Sequence, residues 1–455
     1  MSGTKSKKNN NISVQNGQPQ IIVRFPPSPT GPFHVGNART ALFNYLFAKK
    51  NNGQLLFRLE DTDAERSKKE YEKDIIEGLK WLGIEMDFKN IIRQSERKEI
   101  YKKYLQKMID NGHAYFSKEN DVENGKRNEV IRFKNPNKKI KFNDLIRGEI
   151  EFDTTELKDF VIAKSLEEPV YHLAVVVDDF EMSVNHIIRG EDGISNTPRQ
   201  ILIQEAIGAP RPIYAHLPLV LAEDRSKLSK RKHGEIVSLS YYKQKGYLPE
   251  AMINFLALIG WNPGTEQEIF SMEELIEQFD FLKVQKSGAI FNIKKLNWIN
   301  SHYIKKLDEE KLFEMCQPYL EKYKDKDKIK KILKIKQERM NNFAGAGEEI
   351  DYFFEQPEYE KKLLLWRDET DWGKIKQHLE KISEMINEID ENDFVSHNIK
   401  EKVWDHAEEQ GRGNVLWPFR TALTGLEKSP EPFIVAEILG KKETLNRIKN
   451  AVKKI

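Results

Sequence analysis

The first ordered stretch constrains this chain most. Ile21-Ile22-Val23-Arg24-Phe25 is a short β-branched run that suits a buried strand. It passes into Pro26-Pro27-Ser28-Pro29-Thr30-Gly31-Pro32, which cannot be helix. From Asn37 the pattern changes, and Ala38, Ala41, Leu42, Tyr45 and Leu46 share one face at helical spacing. Residues 54–60 read as a second strand. Ser67-Lys68-Lys69-Glu70 matches a capping box, opening a helix that should stop near Gly83. Strand, loop, helix, strand, helix is the pattern of a parallel α/β sheet.

From about Tyr104 to Met182 this rhythm breaks. Lys-rich polar loops and short strand candidates at 130–133 and 149–152 read as an inserted module. The α/β pattern resumes with a strand at 185–189. Ser195-Asn196-Thr197-Pro198 then opens a helix with proline in its first turn. A strand at 214–221 leads into a basic loop. Beyond about Gly234 helices dominate, interrupted by the turn Gly260-Trp261-Asn262-Pro263-Gly264, and from about Lys305 they are charged and amphipathic. At 455 residues the chain is too long for one core and should form roughly two to four domains.

The formal net charge is only +2, so a polyanion partner would have to meet local basic patches. The single cysteine, Cys316, excludes an internal disulfide framework and a zinc site built on several thiolates. Its helical surroundings predict a buried, inert thiol. No apolar run approaches the roughly 18 residues that span a bilayer. Residues 1–19, rich in Asn, Gln, Lys and Ser, lack the apolar middle of a secretory signal and read as a disordered tail. The expected compartment is the cytosol.

Two segments carry chemistry. Pro27-Ser28-Pro29-Thr30-Gly31-Pro32-Phe33-His34-Val35-Gly36-Asn37 joins a strand to a helix, where backbone N–H groups and the helix dipole face an anion. Gly36 would admit a nucleotide close to the backbone, and His34 could donate to a phosphate. A proline-rich turn with a structural histidine is the plain alternative. Arg225-Ser226-Lys227-Leu228-Ser229-Lys230-Arg231-Lys232 places five positive side chains in eight residues. Such a loop could close over a triphosphate, or be an ordinary solvated basic turn.

In this order, separated by an interrupted α/β pattern, the segments resemble class I aminoacyl-tRNA synthetases. His34-Val35-Gly36-Asn37 stands where that class carries its HIGH motif, and Lys227-Leu228-Ser229-Lys230-Arg231 where it carries KMSKS. The resemblance narrows to the glutamyl-tRNA synthetases and covers nearly all of the chain after the tail. It is carried by Arg24-Phe25-Pro26-Pro27-Ser28-Pro29-Thr30-Gly31, Asn37-Ala38-Arg39-Thr40-Ala41-Leu42-Phe43-Asn44 and Arg58-Leu59-Glu60-Asp61-Thr62-Asp63. Further on, Val176-Val177-Asp178-Asp179, Ile188-Arg189-Gly190-Glu191-Asp192, Ser195-Asn196-Thr197-Pro198-Arg199-Gln200, Leu416-Trp417-Pro418 and Ala422-Leu423-Thr424-Gly425 add to it.

The resemblance implies a Rossmann-like α/β catalytic domain with an α+β insertion, followed by an all-α anticodon-binding region. The corresponding divisions are a tail at 1–19, catalytic halves at 20–104 and 183–235, an acceptor-end module at 105–182, a stem-contact region at 236–305 and an anticodon-binding domain at 306–455. It implies ATP-dependent activation of L-glutamate to an adenylate, then transfer to the terminal adenosine of tRNA(Glu). Whether tRNA(Gln) is also a substrate stays open. Lys230, Lys227 and His34 would carry catalysis. Pro27, His34, Gly36, Asn37, Lys227, Ser229, Lys230 and Arg231 would meet ATP. Arginine forks suit carboxylates and an acid suits an ammonium, so Arg24, Arg189 and Glu60, with Ser28 and Tyr171, would hold glutamate. The plain alternative for Arg58 and Glu60 is a surface ion pair.

Magnesium should arrive with ATP, without a protein cage of its own. The cysteines that bind zinc in some relatives are absent, so no zinc is expected. A monomer is implied. The fourth HIGH residue is Asn37, and Val35 replaces isoleucine; the fourth position varies in this family. The nearest rival, glutaminyl-tRNA synthetase, is opposed by Ser28, Thr30 and a helical C-terminal region in place of β-barrels. A silent RNA-binding descendant is disfavoured by the intact basic loop with His34 and Glu60.

Overall fold

Strand β1 (Ile22–Phe25) has Val23, Arg24 and Phe25 all buried, as befits a parallel strand covered on both faces. It leads through the proline-rich loop to α1 (Val35–Lys50), which begins two residues before the expected Asn37. His34 is the reason: its Nδ1 accepts the Gly36 N–H at 2.9 Å and caps the helix. Strand β2 (Gln54–Leu59) lies parallel to β1, pairing Val23 with Leu55 and Phe25 with Phe57. The computed structural model describes residues 14–15, 18–119 and 129–455. Most of the expected tail, 1–13 and 16–17, lies outside the described residues. Within its span, Val14–Gln15 pairs antiparallel with Gln18–Pro19.

Helix α2 (Lys69–Trp81) starts without the expected capping box: Lys68 is the cap and makes no side-chain bond. The approach to the helix is held elsewhere. Ser67 N–H donates to the Asp63 carbonyl at 2.9 Å and Lys68 N–H to the Pro29 carbonyl at 3.0 Å, moving the helix start past Ser67. Glu70 and Glu72 supply the negative first turn instead. The helix ends by Gly83, whose φ of +68° is the left-handed turn expected there.

Strand β3 (Ile92–Arg93) pairs with β2, and α3 (Lys98–Asp110) follows. The expected insertion is divided between two sheets. Strands β4 (Ala114–Lys118) and β5 (Glu129–Phe133) belong to an antiparallel sheet with β8 (Phe160–Ser165) and β9 (Glu168–Pro169). The hairpin β6 (Lys139–Asp144) and β7 (Gly148–Asp153) joins the catalytic sheet instead. One apolar core runs through both, from Tyr101 and Ile131 to Leu173, Val177, Ile201 and Tyr214. Residues read as a separate module therefore also build the catalytic half.

Helix α4 (Tyr171–Glu181) precedes β10 (His186–Gly190), α5 (Thr197–Ile207) and β11 (Ile213–Leu217). Strands β10 and β11 are parallel in the register Ile188↔Ala215, and β6 joins β11 at Tyr214↔Asp144. Asn185 stitches β10 to β1: its N–H donates to the Ile22 carbonyl at 3.1 Å and its Oδ1 accepts the Ile22 N–H at 2.9 Å. The order across the sheet is β3-β2-β1-β10-β11-β6-β7. From β1 the chain crosses to one side and from β10 to the other. The carboxyl ends of these two strands therefore flank a topological switch point, where open α/β sheets bind ligands.

The single strand expected over 214–221 is broken. β11 ends at Leu217, Pro218 cannot donate to a ladder, and β12 (Val220–Leu221) pairs in parallel with Ala289–Ile290.

The chain forms two compact units, Met1–Tyr303 and Ile304–Ile455. The second is helical, with no strand among the described residues. Its longer helices include Trp372–Asn387, Ser396–Gln410 and Lys441–Lys454. Cys316 is buried there and its thiol is pushed up to about 12 by that burial. Among the described residues no helix is long and apolar enough to cross a membrane.

Candidate active site

At the switch point lies a cleft of roughly 600 Å³. Ten of the thirteen predicted site residues line it: Arg24, Pro27, Ser28, His34, Gly36, Asn37, Glu60, Tyr171, Arg189 and Lys227. Ser229, Lys230 and Arg231 do not. Lys230 and Arg231 are exposed on the four-residue helix α6 (Lys230–His233).

The floor is a buried charge cluster. Asp179 on α4 accepts Arg24 Nε at 3.2 Å and Arg58 Nη1 at 2.7 Å. Arg58 also donates Nη2 to Glu60 Oε1 at 3.1 Å. The neighbouring Asp178 accepts from Gln94, Arg97 and Tyr101. Arg58 is 0% exposed and Glu60 8%, so the surface ion pair considered for them is in fact buried. Three guanidinium groups, Arg24, Arg58 and Arg97, face three carboxylates, Glu60, Asp178 and Asp179, which makes the burial tolerable. Burial raises the Glu60 carboxyl above the ordinary range, with Arg58 opposing it. At Asp179 burial pushes the same way, but Arg24 and Arg58 together hold the group below that range. Arg24 Nη1 is buried and has no hydrogen-bond partner among the described residues.

Arg189 on β10 forms the facing wall. Its Nε donates to His216 Nε2 at 3.1 Å, and its Nη2 donates to the Gly193 carbonyl at 3.0 Å and Thr197 Oγ1 at 2.8 Å. Its Nη1 is buried and likewise unpartnered. A Cβ on Gly193 would lie 2.6 Å from Arg189 Nε, so any larger residue there would have to displace that guanidinium. His216 Nδ1 is 2.7 Å from Asp144 Oδ2. Burial holds its imidazole below the ordinary value despite that carboxylate.

The other end of the cleft is the N-terminus of α1. His34 spends Nδ1 on the cap, so its Nε2 carries the proton. Burial, together with Lys227, keeps the ring below its ordinary pKa against a raising contact with the Leu228 backbone. The basic loop is anchored by buried Leu228, whose N–H donates to the Val220 carbonyl at 3.0 Å. Lys227 pairs with Asp192 at 3.1 Å, and both side chains are largely exposed, so the pair is weak. Lys230 has no ion pair among the described residues. No group of three or more His, Cys, Asp or Glu side chains among them is placed to hold a metal ion.

Sequence reasoning assigned no site role to Asp178, Asp179, Gly193, Thr197, His216 or Asp144. The first two carry a readable signal, adjacent acids in an otherwise apolar helix, which cannot be buried without cations. His216 stands alone in an apolar strand. Asp144 offers no local sign, because its partner lies 72 residues away.

A doubly wound sheet, a helix N-terminus at its switch point and a basic loop beside it are the frame of a class I tRNA synthetase. A family described as tRNA synthetases class I (E and Q), catalytic domain, matches residues 20–128 and 116–298, and an anticodon binding domain matches 311–452. The glutamate–tRNA ligase of Aquifex aeolicus is 42% identical over 96% of this chain and 99% of its own. That of Carboxydothermus hydrogenoformans is 41% identical over 94% and 99%. The chain belongs to the glutamate–tRNA ligase family. Among solved structures, the glutamate tRNA ligase of Elizabethkingia meningosepticum in complex with its amino acid is similar at a TM-score of 0.83 and 32% identity, covering 95% of this chain and 99% of that one. The glutamate–tRNA synthetase of Elizabethkingia anophelis gives 0.82 and 32%, over 95% and 100%.

Proposed function

We propose that the cleft activates L-glutamate with ATP and passes the glutamyl group to tRNA(Glu), the activity of the family. The observation that carries this is the pair of buried guanidinium nitrogens, Arg24 Nη1 and Arg189 Nη1, which lack partners on the walls of one cleft that also holds Glu60. An unsatisfied buried donor costs about 1–3 kcal/mol, more when charged, and a dicarboxylate relieves two at once. Glu60 takes the substrate ammonium, and Ser28 and Tyr171 add neutral hydrogen bonds.

The nucleotide lies along Pro27, His34, Gly36 and Asn37 at the α1 N-terminus, which attracts phosphate. It enters with its magnesium as the substrate complex. A glutamate carboxylate oxygen attacks the α-phosphorus, the bond to pyrophosphate breaks, and glutamyl-adenylate forms. The terminal adenosine hydroxyl of tRNA then attacks the carbonyl carbon and AMP leaves. No protein nucleophile is needed; positioning and charge stabilisation do the work. His34 Nε2 donates to phosphate. Lys227, Ser229, Lys230 and Arg231 reach the triphosphate when the loop closes, with Lys230 the principal cation. Residues 105–182 meet the acceptor end, 236–305 the stem and 306–455 the anticodon, all in the cytosol.

ATP–pyrophosphate exchange with glutamate or glutamine, with and without tRNA, tests this reading. Exchange is expected with glutamate and to require tRNA. Exchange with glutamine alone overturns the amino-acid assignment. Lys230→Ala should abolish most exchange while leaving the unfolding midpoint unchanged; wild-type rates in that variant remove Lys230 from its role.

A further inference from the structure

We propose that Asp144 and His216 are positioning residues that lock the Arg189 guanidinium into one orientation, so that it reads a carboxylate and rejects a carboxamide. The proposal rests on Arg189 contacting the substrate. Neither Asp144, His216 nor Thr197 lines the cleft, so any effect they have on the amino acid must pass through another residue.

The hydrogen bonds run in one direction. Asp144 Oδ1 accepts the N–H groups of Ile146 and Arg147 at 2.9 Å each. Its Oδ2 accepts the His216 N–H at 3.0 Å and faces His216 Nδ1 at 2.7 Å. A carboxylate can only accept, so Nδ1 must donate, and in the neutral ring Nε2 must then be the acceptor. Arg189 Nε donates to that lone pair. Thr197 donates its hydroxyl to the Gly193 carbonyl at 3.1 Å, which turns its lone pairs toward Arg189 Nη2. Nε and Nη2 are consumed, and Nη1 is left without a partner on a residue that lines the cleft. Asp144 is 2% exposed, and His216 and Thr197 are 0%, so water cannot substitute for any of these partners.

Fixing the donor edge is what gives discrimination. A carboxylate presents acceptors on both oxygens. A carboxamide satisfies a fixed Nη1 donor only by turning its one acceptor toward it, which leaves its NH₂ to find a partner elsewhere in the cleft. A guanidinium free to rotate would accommodate both.

The test is aminoacylation of tRNA(Glu) by the full chain, with glutamate, glutamine and ATP varied in turn. His216→Asn places its amide near Nδ1 and leaves nothing at Nε2. His216→Gln can return an amide oxygen there. In His216→Asn the KM for glutamate should rise about tenfold, the expectation for one lost charge-assisted hydrogen bond. The KM for ATP should hold and the preference for glutamate over glutamine should narrow. His216→Gln should recover most of the loss. Asp144→Asn should act like His216→Asn, because the amide disturbs the tautomer. Thr197→Val, which leaves the buried Asp144–His216 pair intact, should raise the glutamate KM in a chain that folds.

In an Arg189→Ala background His216→Asn should add nothing further, as expected of residues acting through one another. A full additional effect in that background overturns the proposal. So do equal rises in the ATP and glutamate KM values, or wild-type glutamate KM in His216→Asn and Asp144→Asn when Arg189→Ala is impaired. An unchanged glutamate KM in Arg189→Ala overturns the substrate-contact reading itself.

Discussion

Asp179→Asn removes the charge that holds two buried arginines while keeping the side-chain volume. In the native chain Asp179 is 3.2 and 3.3 Å from Arg24 Nε through its two oxygens and 2.7 Å from Arg58 Nη1. Arg58 keeps two other carboxylates, Glu60 at 3.1 Å and Asp178 at 3.8 Å. Among the described residues Arg24 has no other carboxylate within ion-pair distance, so it bears the loss. Breaking a buried pair from one side costs about 3–5 kcal/mol, and the asparagine carbonyl still accepts one bond, so about 2–3 kcal/mol is expected. With an m-value of about 2–3 kcal/mol/M this moves the urea midpoint of the first unit down by about 1 M. The two units need not unfold together, so one global transition is not a safe readout. Hydrogen exchange followed by mass spectrometry in urea reports β1, β2 and α4 separately from the second unit. Those peptides should lose protection early, the second unit should not, and the glutamate KM should rise as Arg24 loosens. Asp63→Asn is the control, because the Asp63–Arg66 pair is largely exposed and should leave the midpoint unchanged. A midpoint within about 0.2 M of wild type with an unaltered glutamate KM refutes the view that Asp179 neutralises the floor of the site.

Three further outcomes follow from the geometry. His34→Asn keeps a helix cap but loses the Nε2 donor, so the unfolding midpoint should hold while exchange falls on the order of a hundredfold; equal losses of stability and rate would show the ring to be a cap alone. Gly193→Ala drives a methyl into Arg189, 2.6 Å from Nε, and should raise the glutamate KM with little change in that for ATP, as steady-state kinetics will report. His172 and His186 are held at about 4, chiefly by burial, against about 6.5 in an unfolded chain. Between these values the unfolded chain binds more protons, so stability should fall as pH drops from about 6.5 through about 4; a urea midpoint at pH 5 above that at pH 7.5 would refute this.

What the sequence revealed depended on range. The β1–loop–α1 start was legible because a β-branched run, a proline cluster and a helical period sit side by side. The capping box at Ser67 failed because the decisive bonds come from Asp63 and Pro29, which no local pattern contains. The strand read over 214–221 ignored Pro218, a signal that was present. Arg24 and Arg189 were singled out through resemblance, and the cleft places both on its walls. Their supports were not legible, since Asp179 is 155 residues from Arg24 and Asp144 reaches Arg189 only through His216. Buried polar residues are paired across the fold, so their partners become visible only when the sheet is assembled.

The two halves of the cleft are built on opposite physical terms. On the proposed reading, the glutamate half rests on a buried cluster of paired charges, with Arg24 held through Nε and Arg189 through Nε and Nη2, and Nη1 of each left without a partner among the described residues. Little reorganisation remains when substrate enters, so binding there spends little on ordering side chains. The proposed triphosphate half is a helix N-terminus and an exposed loop whose one ion pair into the cleft, among the described residues, is the weak contact of Lys227 with Asp192. Lys230 and Arg231 lie outside, where an ammonium and a guanidinium are well solvated and nothing holds them in. Burying those cations in advance would cost several kcal/mol without a phosphate to offset it. On the proposed reading, the loop would close when the nucleotide supplies the opposite charge. On the same reading, a preformed amino-acid pocket beside a charge-triggered loop would let the chain select glutamate with rigid geometry and commit ATP by closure.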